Sequence, residues 1–332
     1  MATNLPRQSS VDLDSADRPF DNIINFRDVG RSVNHLMGSR ILKEGVLFRS
    51  ARQLDDASER DRRRLADELH ISTVLDLRSM TEHQMATRKC RGEDALDPEQ
   101  PSLPPSEANE HLVEIPGVQR SLISLTGRAF ERALLWRLDW YNLMYAPPTR
   151  PPTSSHLVEQ CTAIDVYRRV LALVASGYRT EAVTIIGQQV MAPRGLIGLG
   201  QDTLDSSTAE VREIFELLVS PAAYPVLVHC TQGKDRTGLI VLLLLLLLPE
   251  VSADAIAADY VKSEPELVVE FEERMKEIRV LGLNEEYTKC PPEFTQQIRA
   301  HLDAKYGGVG GYLTSVGIDR EKQELIRQQL LA

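Results

Sequence analysis

The residues with the clearest capacity for chemistry lie in one stretch, from His229 to Gly238, which reads HCTQGKDRTG. Its cysteine, Cys230, is followed by Arg236 after five intervening residues, and Gly233 lies between them. A planar guanidinium can bind two oxygens of a phosphate, and glycine permits a backbone conformation that other residues resist. This combination predicts a loop that binds an oxyanion of phosphate size.

The segments on either side of this loop indicate how it is positioned. Residues Pro225 to Val228 are typical of a short buried strand, and the leucine-rich run from Leu239 to Leu248 is typical of a helix. A parallel strand delivers Cys230 to the carboxyl edge of a sheet, where α/β proteins bind ligands. The N-terminus of the following helix and the nearby cations then stabilise a thiolate. The pattern therefore predicts a nucleophilic cysteine rather than a structural one.

Composition excludes several classes of protein. The 38 Lys and Arg residues against 48 Asp and Glu give a net charge of −10, which disfavours nucleic-acid binding. The four cysteines form no CxxC pair and no spacing typical of a metal site, so we expect neither metal nor cofactor. The polar start of the chain lacks the apolar segment of a secretory signal, which predicts a cytoplasmic location. The leucine run is shorter than the roughly 20 residues that span a bilayer.

Strand-like and helix-like segments alternate along the chain. This order predicts an α/β fold with a central, largely parallel sheet flanked by helices. We expect a flexible arm over residues 1–20 and a single domain over residues 21–332. A stretch rich in proline and acidic residues predicts a disordered loop at about 90–112, and a helical insertion or lid is expected at about 120–200.

The segment from Arg128 to Tyr145 holds both tryptophans of the chain together with several arginines. Its apolar residues, beginning with Phe130 and Leu134, follow helical spacing. Two interpretations stand. The helix packs beneath the rest of the fold, or it forms a mobile lid or a basic aromatic surface for peripheral contact with a membrane.

The loop resembles the C-x5-R signature of cysteine-dependent protein tyrosine phosphatases. Its form, HCxxGKDRTG, is similar to that of an atypical bacterial and fungal branch, tyrosine phosphatase family 3 or the triple-specificity group. Outside residues 1–20 and 90–112 the likeness extends along nearly the whole chain. The further matching segments are Asn25 to Gly30, Leu47 to Ser50, Asp76 to Ser79 with Glu82, and Gly311 to Leu313.

The resemblance implies a tyrosine-phosphatase-like fold and a phosphoric monoester hydrolase. Such an enzyme dephosphorylates phosphotyrosine, and also phosphoserine or phosphothreonine, through a cysteinyl-phosphate intermediate. Cys230 is then the nucleophile and Arg236 stabilises the transferring phosphoryl group. The expected phosphate-binding residues are Thr231, Gln232, Gly233, Lys234, Asp235 and Arg236.

The resemblance implies that Asp235 is the general acid. Asp235 can instead cap the following helix, and Asp76 is a second candidate acid because it ends a strand expected beside Cys230. Thr237 is expected to bond the thiolate or to cap the helix. His229 is expected to orient the loop through hydrogen bonds.

Three further residues, Arg78, Arg27 and Asp28, are auxiliary candidates. For Arg27 and Asp28 we consider a second wall of the site or a structural ion pair. Lys234 either adds positive charge beside the phosphate, which suits phosphoinositides, or is solvated.

Other functions also fit the loop. One is a phosphoinositide phosphatase. Another is a catalytically inactive phosphate-binding module, although Cys230, Asp235 and Arg236 are all present. A third is a sulfur-transferring or arsenate-reducing enzyme. We expect phosphorylated proteins or phosphoinositides as partners and no nucleic acid.

Overall fold

The computed structural model describes residues 20–93, 103–104, 106–144, 162–176 and 179–332. The strands are β1 (Arg27–Asp28), β2 (Leu47–Ser50), β3 (Thr73–Asp76), β4 (Gln119–Leu122) and β5 (Val226–His229). The first helices are α1 (Val29–Met37), α2 (Glu59–Arg63), α3 (Met80–Arg91), α4 (Arg128–Met144), α5 (Thr162–Ala175), α6 (Arg179–Ile186), α7 (Ala192–Ser206) and α8 (Thr208–Val219). The remaining helices are α9 (Asp235–Leu246), α10 (Ala253–Val261), α11 (Ser263–Leu267), α12 (Phe271–Val280), α13 (Phe294–Tyr306), α14 (Val309–Ser315) and α15 (Arg320–Leu330).

The strands form one sheet in the order β1-β2-β5-β3-β4. Only the β1–β2 pairing is antiparallel among these strands, so the predicted α/β fold with a largely parallel sheet is confirmed. The register places Ser50 and Asp76 on either side of His229. Because three parallel strands end together there, the segments that follow them meet at one edge of the sheet.

The central strand and the leucine helix form the heart of the core. Val226 and Val228 of β5 are fully buried and share an apolar cluster with the leucines of α9. Burial of such a strand on both faces is typical of parallel sheets. The leucine run is thus a core helix, as predicted. In the described ranges, no helix is both long and apolar enough to cross a membrane.

Two capping boxes set the start of helices near the sheet edge. Ser58 and Asp61 cap α2, and Ser79 and Glu82 cap α3, each pair exchanging side-chain and backbone hydrogen bonds. The boxes satisfy N–H groups that the first turn of a helix leaves free. The Ser79 box fixes Glu82 just beyond the end of β3.

The structure differs from the loop expected over about 90–112. Cys90 and Arg91 belong to the last turn of α3, and Ala108 and His111 are buried. The Thr87 hydroxyl donates to the Ala108 carbonyl at 2.9 Å and lies 2.8 Å from His111 Nδ1. A proline-rich, acidic composition does not reveal such contacts. Residues 94–102 and 105 lie outside the described residues, as do residues 1–19 of the expected arm.

The helical insertion expected at about 120–200 also begins differently. Strand β4 pairs with β3 and extends the sheet to residue 122. Beyond it, helices α4 to α7 surround a separate apolar cluster that includes Phe130, Leu134 and Ile186. Toward the C-terminus, a 3-10 turn over Val268–Glu270 separates α11 from α12.

A buried charge network lies behind the signature loop. Asp259 accepts hydrogen bonds from Arg27 Nε at 2.9 Å and from Arg49 Nη1 at 2.8 Å. Burial by itself would raise the pKa of Asp259, but the two guanidinium groups hold it well below its usual range. The network joins β1, β2 and α10.

Replacing Asp259 with asparagine should leave two buried guanidinium groups without an anion. We expect the free energy of unfolding at pH 7 to fall by about 3–5 kcal/mol, measured by urea denaturation. Because the folded carboxyl has the lower pKa, its stabilisation is complete above the unfolded value of about 3.9 and is lost as the pH falls. The variant should therefore lose part of the wild type's acid sensitivity. Asp254→Asn, on the exposed side of α10, is the control, and equal stability of both variants would refute the account.

Candidate active site

The signature loop is a tight bend between β5 and α9. Gly233 has a φ of 65°, a conformation that L side chains rarely adopt. A Cβ at this position would lie 2.0 Å from the Ser50 carbonyl oxygen at the end of β2. Both the conformation and the space therefore demand glycine.

The outer side of the loop is fixed by hydrogen bonds to its carbonyl groups. Asn25 Nδ2 donates to the Gln232 carbonyl at 2.8 Å, and Arg49 Nη2 donates to the Gly233 carbonyl at 2.8 Å. In a trans peptide the carbonyl and the following N–H point in opposite directions. The N–H groups of Gly233 and Lys234 are thus directed away from Asn25 and Arg49, as an anion-binding nest requires.

Arg236 is held by the segments that follow β3 and β4. Its Nη1 and Nη2 donate to the two carboxylate oxygens of Glu82, both at 2.5 Å. Nη1 also lies 3.3 Å from the Leu77 carbonyl oxygen and 3.4 Å from Thr126 Oγ1. Thr231 completes the group, since its hydroxyl donates to Glu82 and accepts from Arg236 Nη2. The guanidinium is therefore oriented before any anion binds.

Charge balance at this pair favours the ionised form of both groups. Burial would lower the pKa of Arg236, but Glu82 above all, together with Cys230 and Asp235, raises it above its ordinary value. Burial would raise the pKa of Glu82, but Arg236 and the Thr231 hydroxyl hold it well below its usual range. Cys230 itself is a free thiol, 2% exposed, at the first position of the loop.

A cavity of about 740 Å³ opens beside Arg236. Thr231, Asp235, Arg236 and Glu82 are the polar lining residues nearest the signature loop, and further charged residues line the rest of the cavity. The apolar part of its lining comes mainly from the insertion and the C-terminal helices: Phe130, Leu134, Ile186, Met191, Leu196, Leu199 and Phe294. A phosphate and a bulky apolar group attached to it therefore find complementary surroundings side by side.

The two candidate acids lie in different surroundings. Asp235 is the first residue of α9, its side chain is 33% exposed, and it lines the cavity. No side-chain hydrogen bond caps α9, so the interpretation of Asp235 as a cap is wrong. Asp76 is fully buried and accepts hydrogen bonds from Arg78 Nε at 2.9 Å and Nη2 at 2.7 Å. Only Asp235 has access to a leaving group in the cavity.

Asp76 and its neighbours form a support beneath the loop. Burial would raise the pKa of Asp76, but the His229 ring and the Arg78 guanidinium hold it well below its usual range. Arg78 also pairs with Asp55 on the rim of the cavity. Asp76 is therefore an anion that orients Arg78. Because its carboxyl group stays ionised, Asp76 cannot serve as the proton donor.

His229 does not orient the loop through hydrogen bonds as predicted. Neither ring nitrogen has a hydrogen-bond partner among the described residues, although Nε2 lies 3.4 Å from Asp76 Oδ2. Burial lowers the pKa of His229 to about 4, so the ring is neutral at pH 7. Its contribution is packing at the end of β5.

The contacts of Arg27, Asp28 and Thr237 decide the roles predicted for these three residues. Arg27 is part of the buried Asp259 network, and Asp28 accepts from the backbone N–H of Arg31 and Gly45, so neither forms a second wall of the site. The hydroxyl of Thr237 is buried, caps nothing, and has no partner among the described residues.

Lys234 differs most from expectation. Its side chain is fully buried, which excludes a solvated lysine. Its ammonium donates to Asp235 and to the backbone carbonyls of Tyr287 and Lys289. The prediction that its charge contacts phosphate is therefore not supported. Only the backbone N–H of Lys234 points toward the side of the loop where a phosphate would bind.

Sequence reasoning missed the anchoring residues. Glu82 belongs to a matching segment, yet a serine followed three residues later by glutamate reads as a helix start, which it also is. Arg49 and Asp259 are 210 residues apart, and no local pattern pairs them. The one signal in the sequence that could have indicated these anchoring residues was the presence of charged residues at the ends of predicted strands.

The class of this fold and loop is given by comparison with known proteins, which identifies a tyrosine phosphatase. The sequence matches the model of the tyrosine phosphatase family over residues 18–332, and the chain belongs to that family. It is 26% identical to the triple specificity protein phosphatase PtpB of Mycobacterium tuberculosis over 333 residues, covering 92% of this chain and 96% of that protein. It is 29% identical to a tyrosine-protein phosphatase of Nostoc commune over 142 residues, covering 38% of this chain and 46% of that protein. The predicted family and the predicted phosphatase activity are confirmed.

Replacing Gly233 with alanine should displace the loop, because the new methyl group cannot occupy the space of the Ser50 carbonyl. A shift of the reacting groups by about 1 Å can cost roughly 100-fold in rate, and we expect a loss of at least that order in phosphatase kcat/KM. Gly45→Ala is the matched control, since Gly45 has a φ of 75° in open space. It should cost about 1–2 kcal/mol of stability and leave activity unchanged. Full activity of Gly233→Ala would contradict the assigned loop geometry.

Proposed function

We propose that the chain hydrolyses phosphotyrosine in proteins, and phosphoserine or phosphothreonine as well, with Cys230 as nucleophile. The thiolate attacks phosphorus in line while the leaving oxygen takes a proton from Asp235. Water then attacks the cysteinyl-phosphate and gives its proton to the Asp235 carboxylate, which releases phosphate and restores the thiolate. Arg236 and the loop N–H groups stabilise charge on the equatorial oxygens.

One observation carries this proposal: the bidentate Arg236–Glu82 pair at the cavity beside Asp235. It fixes a planar cation within the electrostatic reach of Cys230, and it places an acid on the same loop. The apolar lining that includes Phe130 and Leu134 suits the ring of a phosphotyrosine.

The cavity favours substrates with a single phosphate over phosphoinositides. Several cations of its lining already have carboxylate partners: Arg78 with Asp55, Arg236 with Glu82, Lys89 with Glu273 and Arg274 with Glu277. The ammonium of Lys234, which suggested phosphoinositides in the sequence, donates to protein acceptors instead. Apart from Lys276, a second phosphate therefore finds little unpaired positive charge among the described residues of the lining.

Replacing Cys230 with serine should abolish turnover of 4-nitrophenyl phosphate and of a phosphotyrosine peptide, because the nucleophile is lost. Binding of the peptide should persist, as measured by calorimetry. Cys90→Ser, which changes an exposed free cysteine of the cavity lining, should retain turnover, because Cys90 lies outside the signature loop. A substrate panel for the wild type should rank the phosphotyrosine peptide above phosphoserine peptide and phosphoinositide vesicles. Turnover by Cys230→Ser would refute the nucleophile, whereas preferred turnover of phosphoinositide would refute only the substrate class.

We also propose that helix α4 makes peripheral contact with anionic membranes. Arg128, Arg132 and Trp136 are exposed and spaced four residues apart, which places them on one face of the helix. Trp136 is 75% exposed. The opposite face packs Phe130 and Leu134 into the insertion. An outward tryptophan flanked by arginines suits the interface of an anionic bilayer.

The cytoplasm stays the proposed location, because a thiolate nucleophile requires reducing conditions.

Replacing Trp136 with alanine should weaken cosedimentation with phosphatidylserine vesicles several-fold, since the exposed ring supplies the apolar contact. Val268→Ala is the matched control, because this residue is 65% exposed on another surface. Hydrolysis of 4-nitrophenyl phosphate in solution should be the same for both variants. Absence of vesicle binding by the wild type, or equal binding by all three proteins, would contradict the contact.

A further inference from the structure

We propose that Lys234 is a positioning residue for Asp235: its buried ammonium holds the carboxylate of the general acid and does not contact the substrate phosphate. This inference rests on the proposed roles of Cys230 and Asp235. It assigns to the lysine of the signature loop a part in proton transfer instead of anion binding.

The ammonium group has no donor left for a substrate. It carries three N–H groups, and three protein acceptors surround it. Nζ lies 2.9 Å from Asp235 Oδ1, 2.7 Å from the Lys289 carbonyl oxygen and 3.4 Å from the Tyr287 carbonyl oxygen. The side chain is 0% exposed, so water does not compete for these positions.

The acceptors belong to a segment that is itself well fixed. The Tyr287 hydroxyl donates to the Met191 carbonyl at 2.5 Å, and the Cys290 N–H donates to Glu264 Oε2 at 2.7 Å. On the other side, Arg49 holds the Gly233 carbonyl at the base of the loop. Lys234 therefore ties the start of α9, including the Asp235 carboxylate, to the carbonyl groups of Tyr287 and Lys289.

The chemistry explains why an ammonium is useful at this position. In the first step Asp235 gives its proton to the leaving oxygen and becomes a carboxylate. In the second step that carboxylate must take a proton from the attacking water as the S–P bond breaks. A cation 2.9 Å from Oδ1 stabilises the negative charge as it develops in the first step and maintains it for the second.

The test compares Lys234→Met, Asp235→Asn and the double variant on substrates with different leaving groups. Phenyl phosphate and a phosphotyrosine peptide need a proton at the leaving oxygen more than 4-nitrophenyl phosphate does. We expect Lys234→Met to lose about 10- to 100-fold in kcat/KM, which reports the step that expels the leaving group, on the first two and less than about 3-fold on the third. The double variant should be no slower than Asp235→Asn, because both changes remove the same function, which is proton transfer to the leaving oxygen.

The matched control is Lys43→Met, which removes another ammonium bound to a backbone carbonyl, that of Gln328, away from the site. It should keep wild-type kinetics. A phosphate-contacting lysine would give the opposite pattern: equal losses on all three substrates, weaker inhibition by orthovanadate, and losses that add to those of Asp235→Asn. That pattern would overturn the inference.

A second measurement does not depend on the variant folding. In a crystal structure of the wild type with orthovanadate, Nζ should stay within about 3 Å of Asp235 and the Lys289 carbonyl. An Nζ bonded to a vanadate oxygen would refute the inference. Turnover by Cys230→Ser in the same assays would instead refute the proposed function, so the two failures are distinguishable.

Discussion

The site depends on one partly buried ion pair, that of Arg236 with Glu82. An arginine on a short loop is otherwise a flexible side chain, and ordering it on a substrate would cost conformational entropy at each binding event. The two parallel hydrogen bonds that Arg236 donates to Glu82 order the guanidinium already in the folded protein, and the capping box at Ser79 fixes Glu82 in turn. The orientation of the guanidinium is therefore inherited from the end of a strand and the first turn of a helix.

A second layer of charge supports the first. The loop bends because Gly233 fits against Ser50, and its carbonyl groups are held from outside by Asn25 and Arg49. Arg49 shares Asp259 with Arg27, and these groups are all buried. Buried pairs of this kind contribute little net stability compared with apolar packing, but the loss of one partner is costly. In this protein, these ion pairs hold the signature loop in a single conformation.

The sequence was sufficient for the strand–loop–helix unit and insufficient for its surroundings. A β-branched run, a glycine and a leucine-rich run are local signals, and they predicted β5, the bend and α9 correctly. The direction of the Lys234 side chain depends on the carbonyls of residues 287 and 289, which no pattern near the loop indicates. The same holds for Asp76, which looked like a second acid until its pairing with Arg78 was known. Proline-rich composition likewise concealed the buried contacts of His111.

The contacts around the loop also bear on how the protein acquires activity during synthesis. Asn25 and Gln232 are 207 residues apart, and Arg27 and Asp259 are 232 apart. A nascent chain that has released only its first half carries the arginines of β1 and β2 without their carboxylate, so that part of the fold stays incomplete until α10 emerges from the ribosome. The support of the signature loop would thus be complete only after α10 has been made. Fragments that end before residue 230 would be inert because they lack the nucleophile, and fragments that end between Cys230 and α10 would lack the carboxylate that pairs with Arg27 and Arg49.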